Sequence, residues 1–285
     1  MATREEWIAA SGAEWAAHVA ATDAALGPFG QEACTRLALR AGERVLDVGC
    51  GAGASTLMLA RDVGEEGRVT AIDVSPPLVR LARERVEGHA NIEIVEADAA
   101  EHDFGGTPFD ALFSRFGCTF FGDPASAWAT LHRALRTDGR VSVVVWRTLE
   151  ENDWARVPLE AAAEVFGDTG PTLAAAPEGV GPFAWADPKV FEPLLEGAGF
   201  REVVREKLDL RVPYGTGTAK GSLDRAVHMM LHVGPLARRI RNTDEAEREG
   251  VQKQVEKRLK RLLRPYDDDD AVRMTGRAWL ITARA

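Results

Sequence analysis

A glycine-rich turn after a short apolar run is the part of this sequence best suited to chemistry. Residues 45–53 read VLDVGCGAG, and a helical pattern begins near Ala54. Glycines allow a tight turn and let a ligand approach the backbone without meeting a β-carbon. The first amide groups of the following helix are free to donate and carry partial positive charge. The turn is therefore expected to bind an anionic group of a ligand.

Acidic residues accompany the first three predicted strands. Asp47 lies two residues before Gly49. Asp73 ends the second strand, 20 residues beyond Gly53, and Asp98 follows the third strand. An acid at the end of the second strand can accept hydrogen bonds from both ribose hydroxyls of a nucleoside. This pairing of loop and acid fits NAD as well as S-adenosylmethionine.

Three details favour S-adenosylmethionine. The glycines follow the pattern G-x-G-x-G, and Ala54 stands where a dinucleotide loop would have a further glycine. Asp47 would lie beside the pyrophosphate of a dinucleotide, whereas a zwitterionic amino acid with a sulfonium group suits a carboxylate. Asp98 is placed to accept a hydrogen bond from an adenine amino group. An NAD-type dehydrogenase stays as the alternative, because glycine loops alone are shared by both classes.

The sequence resembles the class I S-adenosylmethionine-dependent methyltransferases, particularly the ubiquinone/menaquinone C-methyltransferase-like family. The similar segments are VLDVGCGAG at 45–53, AIDVS at 71–75, EADAAEHDF at 96–104, FDALFSRFG at 109–117 and ALRTDGRV at 134–141. The resemblance implies an α/β fold with a Rossmann-like seven-stranded sheet, in the order 3-2-1-4-5-7-6 and with strand seven antiparallel. The family often has Thr or Ser directly after the last glycine of this loop. Here Ala54 holds that position, and the hydroxyl residues Ser55 and Thr56 follow one position later.

The same resemblance implies a set of cofactor contacts. Its members are Asp47, Gly49, Cys50, Gly51, Asp73, Val74, Asp98, Ala99 and Ser114. The first four would hold the methionine portion, Asp73 the ribose, and Val74 would pack on the adenine. Asp98 and Ala99 would bind the polar edge of the adenine, and Ser114 would lie near the methyl group.

The loop after the fourth strand is expected to line a substrate pocket, because ligands bind beyond the carboxyl ends of parallel strands. It contributes Arg115, Phe116 and Phe120, and Trp146 ends the fifth strand. Aromatic side chains there fit a partly apolar substrate, although ordinary core packing explains them equally well.

Catalytic residues stay unassigned, because methyl transfer requires alignment and exclusion of water more than a general base. The candidates for a base are His18, His228 and His232. His228 and His232 are four residues apart on a predicted helix, which permits a shared face. No third ligand accompanies them in the sequence, so no metal site is expected.

Helical regions are expected to cover the site. Residues 1–40 are predicted to form N-terminal helices that belong to a cap, with a break at Gly27 and Pro28. Residues 41–285 would form the methyltransferase domain, in which a helical lid spans about 217–264. Within that lid, residues 244–264 show an apolar stripe on an otherwise basic helix. A dimer contact or binding to an anionic membrane surface are the alternatives to a lid role.

Composition restricts the partners. The 285 residues are 45% hydrophobic and 28% charged, as in an ordinary globular protein. The net charge of −9 disfavours nucleic acid as a partner. The three cysteines are Cys34, Cys50 and Cys118, and their spacing matches neither a disulfide framework nor a zinc motif. With no signal segment and no long apolar run, a cytoplasmic protein with reduced thiols is expected.

These observations predict transfer of a methyl group from S-adenosylmethionine to oxygen, nitrogen or carbon of a small, partly apolar metabolite. A monomer or homodimer without stable membrane insertion would carry out the reaction. An NAD(P)-dependent oxidoreductase and a non-catalytic S-adenosylmethionine-binding module are the alternatives.

Overall fold

The computed structural model describes residues 7–8, 10–171, 179–216 and 221–285. Its strands are β1 Arg44–Val48, β2 Arg68–Asp73, β3 Ile92–Glu96, β4 Phe109–Arg115, β5 Leu135–Trp146, β6 Arg201–Tyr214 and β7 Val272–Arg284. They form one sheet in the order β3-β2-β1-β4-β5-β7-β6. Strand β7 runs antiparallel to both β5 and β6, and the pairs among β1 to β5 are parallel. The predicted strand order and orientation are confirmed.

Helices surround the sheet. They are α1 Ala10–Ala17, α2 Val19–Leu37, α3 Ala54–Val63, α4 Pro76–Arg85, α5 Pro124–Ala134, α6 Asp153–Phe166, α7 Pro188–Gly197, α8 Ser222–His232, α9 Pro235–Arg241 and α10 Glu245–Leu263. Short 3-10 turns lie at Cys118–Phe120 and Arg264–Tyr266. Among the described helices, none is both long and apolar enough to cross a membrane.

The central strands are buried on both faces, which explains their nearly continuous apolar sequences. Successive residues of a strand point to opposite sides. In β1, Val45 belongs to the core on one face and Leu46 to the core on the other. Helices cover both faces of such a sheet, as parallel strands require. The strand ends are thereby held rigidly at one edge, where the loops that follow β1, β2, β3 and β4 meet.

The expected break at Gly27 and Pro28 is wrong, because α2 continues through both residues from Val19 to Leu37. Its buried face includes Ala25, Phe29 and Ala33. Phe29 is fully buried and packs edge-to-face on Trp146 of the sheet. A proline inside a helix removes one hydrogen bond. Tertiary burial of this face outweighs that loss, since most helix stability in proteins comes from packing.

Among the described residues, three α-helices lie between β6 and β7, in the region where a lid is expected. They are α8, α9 and α10, and Val233 and Gly234 separate the first two. Helix α10 buries Val255, Leu259 and Leu263, which belong to the same core as the sheet. Residues 1–6 and residue 9 of the expected cap, and residues 217–220 at the start of the expected lid, lie outside the described residues.

Candidate active site

The glycine loop after β1 is held by backbone geometry that only glycine satisfies. Gly49 has φ of +68°, and a β-carbon built on it would lie 2.8 Å from Cα of Gly117. The amide groups of Gly49 and Cys50 donate to the carbonyl of Ile72 at the end of β2. The loop is therefore clamped between the β4–α5 loop on one side and β2 on the other. Gly51 differs, since apart from its chain neighbours no described residue comes within 4 Å of a β-carbon built on it.

Asp47 lies beneath this loop and is fully buried. Its Oδ2 accepts hydrogen bonds from the hydroxyls of Ser55 and Thr56, both at 2.8 Å. Its Oδ1 has no hydrogen-bond partner among the described residues. Burial raises the pKa of Asp47 to about 6, against the opposing effect of the two hydroxyls and of the charge on Arg115. A buried acceptor of this kind can be satisfied by a cationic group brought to the loop.

Asp73 connects the end of β2 to the glycine loop. Its Oδ2 accepts from the amide of Gly51 at 2.8 Å, and its Oδ1 accepts from the amide of Ser75 at 2.9 Å. Burial raises the pKa of Asp73, and the backbone donors oppose that shift. The carboxylate lines a cavity and is oriented before any ligand arrives. Asp98, after β3, accepts from the amide of Ala100 at 2.9 Å and lines the same cavity.

The cavity has a volume of about 720 Å³ and runs along the carboxyl ends of the strands. It is lined by seven of the nine predicted cofactor contacts, namely Gly49, Cys50, Gly51, Asp73, Val74, Asp98 and Ala99. It is also lined by all four predicted substrate-pocket residues, Arg115, Phe116, Phe120 and Trp146. The tertiary structure thus places the glycine loop, two carboxylates and an aromatic wall around one space.

Two predicted cofactor contacts do not line this cavity. Asp47 lies behind the loop, as described above. Ser114 is fully buried, and its hydroxyl donates to the carbonyl of Val48 at 2.8 Å. Side chains alternate along a strand, so Arg115 rather than Ser114 reaches the cavity. The structure therefore places Ser114 as a link between β1 and β4 that does not line the cavity.

Comparison with known proteins agrees with this arrangement. Residues 45–139 match the family described as a methyltransferase domain. Nocamycin O-methyltransferase from Saccharothrix syringae is 34% identical over 188 residues, which are 61% of this chain and 65% of that protein. The ubiquinone/menaquinone biosynthesis C-methyltransferase UbiE from Proteus mirabilis is 33% identical over 109 residues, 37% of this chain and 43% of that protein. The chain thus spans less than two thirds of either relative.

Solved structures show the same fold. Haemonchus contortus phosphoethanolamine N-methyltransferase 2, solved with S-adenosylhomocysteine, is similar with a TM-score of 0.52 and 17% identity, over 90% of this chain and 52% of that chain. The [4+2]-cyclase SpnF is similar with a TM-score of 0.51 and 22% identity, over 90% of this chain and 80% of that chain. At these identities the likeness concerns the fold alone. Residues 45–139 of this chain thus match a methyltransferase domain, and the sheet around them has the fold of solved methyltransferases.

The methyltransferase domain offers a site that fits the cofactor of its class. The buried carboxylate of Asp47, whose Oδ1 has no hydrogen-bond partner among the described residues, adds negative charge behind the loop, and the open space at Gly51 suits close approach of a ligand to the backbone. The carboxylates of Asp73 and Asp98 line the part of the cavity where a nucleoside would be bound. The residues present therefore fit S-adenosylmethionine in both shape and charge.

An aromatic wall forms the other part of the cavity. The rings of Phe116 and Trp146 are stacked, with centroids 3.9 Å apart and planes inclined by 10°. Phe116 has φ of +62°, a strained value for a residue with a side chain, which turns its ring onto Trp146. Trp154 of α6 continues the wall, with its centroid 4.8 Å from that of Trp146. Arg115 adds a cation beside this surface; burial lowers its pKa, against the charges of Asp23 and Asp47.

The three candidate histidines meet at one edge of the cavity. His18 lies between α1 and α2, whereas His228 and His232 lie on α8. Their ligand atoms all lie within 4.8 Å of one another. Only His232 of the three lines the cavity. Burial lowers the pKa of His228, and the neighbouring His232 and His18 lower it further. The fold brings His18 to His228 and His232, so a third histidine that was not evident in the sequence joins the pair.

Sequence reasoning missed several residues that shape the site. Ser55 and Thr56 both bond Asp47, which gives a role to the displaced hydroxyls noted in the sequence. Gly117 packs against Gly49, and its place at the end of the FDALFSRFG motif was the available signal. Trp154 carried no such signal, because its helix is remote from the glycine loop in the chain.

Proposed function

We propose that this chain transfers a methyl group from S-adenosylmethionine to a small, partly apolar acceptor, with S-adenosylhomocysteine as the second product. One observation carries the proposal: a single cavity joins the glycine loop, Asp73 and Asp98 to the stacked rings of Phe116 and Trp146. A nucleoside cofactor and an apolar acceptor bound in these two parts would be adjacent. Proximity and exclusion of water supply much of the catalysis in such a displacement.

The cofactor part would bind S-adenosylmethionine through the groups that the structure has oriented. Asp73 would accept hydrogen bonds from the ribose hydroxyls, and Val74 would pack on the adenine. Asp98 with Ala99 would bind the polar edge of the adenine. The backbone of the glycine loop would hold the methionine portion, with the buried charge of Asp47 behind it. The bound cofactor supplies an activated methyl group, so these residues need only bind and orient.

Oxygen is the acceptor atom that we favour among oxygen, nitrogen and carbon. The similarity to nocamycin O-methyltransferase extends over 188 residues, which is longer than the matched domain at 45–139. The UbiE similarity covers only 109 residues. A neutral hydroxyl acceptor must lose a proton, and His232 is the candidate base that lines the cavity. Arg115 would stabilise an acceptor oxygen that carries negative charge.

The N-terminal helices and α8 to α10 would act together as a cap and lid over the acceptor. Trp15 and Val19 from the N-terminal side line the cavity, and Met229 and Leu236 line it from α8 and α9. Such a cover limits the acceptor to a small molecule. The three cysteines are free and buried in the described structure, which fits a protein of the reducing cytoplasm.

Calorimetric titration with S-adenosylhomocysteine and with NAD⁺ tests the cofactor assignment. We expect binding of S-adenosylhomocysteine, and a loss of about 1–3 kcal/mol in Asp73→Ala because charge-assisted hydrogen bonds are removed. Asp110→Ala is the matched control, since that carboxylate accepts from Arg44 and Arg136 at the opposite end of β4. Unchanged affinity in Asp73→Ala, or preference for NAD⁺, would reject the assignment.

Methyl transfer itself is tested with methyl-labelled S-adenosylmethionine and a panel of hydroxylated and aminated aromatic acceptors. We expect labelled product from a hydroxylated acceptor and equimolar S-adenosylhomocysteine. Cofactor binding with no labelled product across the panel would favour a non-catalytic binding module. Labelled product from amines alone would overturn the oxygen assignment but not the methyltransferase.

A further inference from the structure

We propose that His18, His228 and His232 form a binding site for a borderline divalent cation of the Zn²⁺ class. One nitrogen from each ring lies within 4.8 Å of the other two. Three imidazoles are a recurrent ligand set for Zn²⁺ when a fourth position is left for water or another oxygen. The site is separate from the glycine loop and from Asp73, so it does not depend on the proposed methyl transfer.

The distance between ring nitrogens of His18 and His228 matches the distance between two ligand nitrogens of tetrahedral Zn²⁺. Nε2 of His18 and Nε2 of His228 are 3.3 Å apart. Tetrahedral Zn²⁺ with Zn–N bonds of about 2.0–2.1 Å places neighbouring ligand nitrogens about 3.3–3.4 Å apart. The centroid of the His232 ring is 4.3 Å from that of His228 and 5.2 Å from that of His18. The ligand nitrogens of all three rings lie within 4.8 Å of one another, so a bound cation would draw them together to complete the set.

Backbone carbonyls fix the orientation of two rings. Nδ1 of His18 donates to the carbonyl of Glu14 at 2.9 Å, and Nδ1 of His232 donates to the carbonyl of His228 at 2.8 Å. A carbonyl only accepts, so each of these rings carries its proton on Nδ1 and has a lone pair on Nε2. Ligating histidines usually donate their second nitrogen in this manner, which sets the tautomer and the ring orientation. Both Nε2 atoms are thus prepared for a metal.

A cation explains this cluster better than a hydrogen bond between rings. Without metal, one proton on His228 can bridge two rings, whereas a cation engages all three. His18 comes from the N-terminal helices and the other two rings from α8, more than 200 residues later in the chain. Neither helix alone contains the set, since an i,i+4 pair supplies two ligands only. The cation would therefore connect the N-terminal helices to α8 at the edge of the cavity.

Such a connection has a consequence for the acceptor half of the cavity. His232 lines the cavity, so a bound cation would lie at its rim. The cation would hold α8 against the segment after α1 and restrict movement of this side of the cover. It would also engage the Nε2 lone pair of His232, so cation binding and proton acceptance by that atom exclude each other.

Titration of the chelator-treated full chain with Zn²⁺ alone tests the site without cofactor or acceptor. We expect one equivalent to bind, and His18→Ala, His228→Ala and His232→Ala each to weaken binding by about 100-fold or more, because loss of even an outer-shell partner costs about 10–100-fold. His89→Ala is the control, since His89 is exposed, bonds a local carbonyl and lies far along the chain from the cluster. Circular dichroism of each variant checks that it is folded.

Titration with Co²⁺ gives an independent readout. Intense visible absorption of tetrahedral Co²⁺ is expected in the unaltered chain and in His89→Ala, and not in the three cluster variants. An octahedral spectrum, undiminished binding in His18→Ala, or an equal loss in His89→Ala would overturn the proposal. His18→Ala is the sharpest case, because it leaves the helical pair on α8 intact.

Discussion

The two parts of the cavity are built in opposite ways. The proposed nucleoside part comes from short loops that directly follow neighbouring strands, and its main residues are Gly49, Gly51, Asp73 and Asp98. The proposed acceptor part draws on the N-terminal helices, the β4–α5 loop, α6, α8 and α9. Strand ends are fixed by the hydrogen bonds of the sheet, whereas the acceptor walls are fixed by side-chain packing. The first part can therefore be conserved in form while the second changes acceptor.

Gly49→Ala should have the largest effect on the free energy of unfolding, because it changes the glycine loop that the sheet holds in place. The new β-carbon would lie 2.8 Å from Cα of Gly117 on a backbone with φ of +68°. We expect a loss of about 3–5 kcal/mol in the free energy of unfolding, from backbone strain and overpacking together. Chemical denaturation measures it. Gly167→Ala is the control, with φ of +72° but no atom within 4 Å of its virtual β-carbon. Equal losses in both would mean that the contact with Gly117 contributes nothing.

Trp146→Leu tests the acceptor part. It removes the stack on Phe116 and the contact with Trp154, and we expect a loss of about 2–4 kcal/mol in the free energy of unfolding. S-adenosylhomocysteine affinity should stay within about threefold, since the two parts are fixed by different contacts. Trp128→Leu is the matched control, a fully buried indole in the core on the other face of the sheet.

A large fall in cofactor affinity in Trp146→Leu, with none in Trp128→Leu, would show that the two parts are coupled. The separation between a rigid nucleoside part and a packed acceptor part would then fail.

Asp47→Asn should raise the free energy of unfolding of the chain and weaken S-adenosylhomocysteine binding. A carboxyl whose pKa is raised from 3.8 to about 6 by burial favours the protonated form in the folded state. The Asp47 carboxyl contributes fully to the free energy of unfolding below pH 3.8, and this contribution is lost as the pH rises through about 6. At about pH 8 we expect Asp47→Asn to gain about 1–3 kcal/mol, and the gain to vanish towards about pH 4.

Denaturation of both proteins across this pH range measures the gain, and calorimetry should show weaker S-adenosylhomocysteine binding in Asp47→Asn. Asp110→Asn provides the comparison, because it removes an ion pair with Arg136 and should not stabilise the chain. A pH-independent gain in Asp47→Asn would contradict the role assigned to burial.

Ser114→Ala should have the smallest effect and sharpens the boundary of the site. It removes a buried hydrogen bond to Val48 and should cost about 1 kcal/mol of stability, with cofactor affinity unchanged. Ser142→Ala is closely matched, because its fully buried hydroxyl bonds the carbonyl of Ala33 at the same distance of 2.8 Å. Weaker binding of S-adenosylhomocysteine in Ser114→Ala, with no change in Ser142→Ala, would show that Ser114 contributes to the cofactor site.

The histidines illustrate how far the sequence could lead. His228 and His232 were recognisable as a pair because helix geometry is local. His18 was not recognisable as their partner, since its approach depends on how α1 and α2 pack over the sheet. The same limit applied to Pro28, where a local rule predicts a break and the buried face of α2 overrides it.

The sequence by itself determined the glycine loop and the acids at the strand ends, whereas the expected strand order came from its resemblance to a known family. Those features are local, because each combines a strand, a turn and a few adjacent side chains whose geometry the backbone sets. Only the tertiary structure decided that Asp47 and Ser114 lie behind the cavity wall, that Phe116 stacks on Trp146, and that three distant imidazoles meet. Such contacts depend on packing among segments far apart in the chain, which no local pattern encodes.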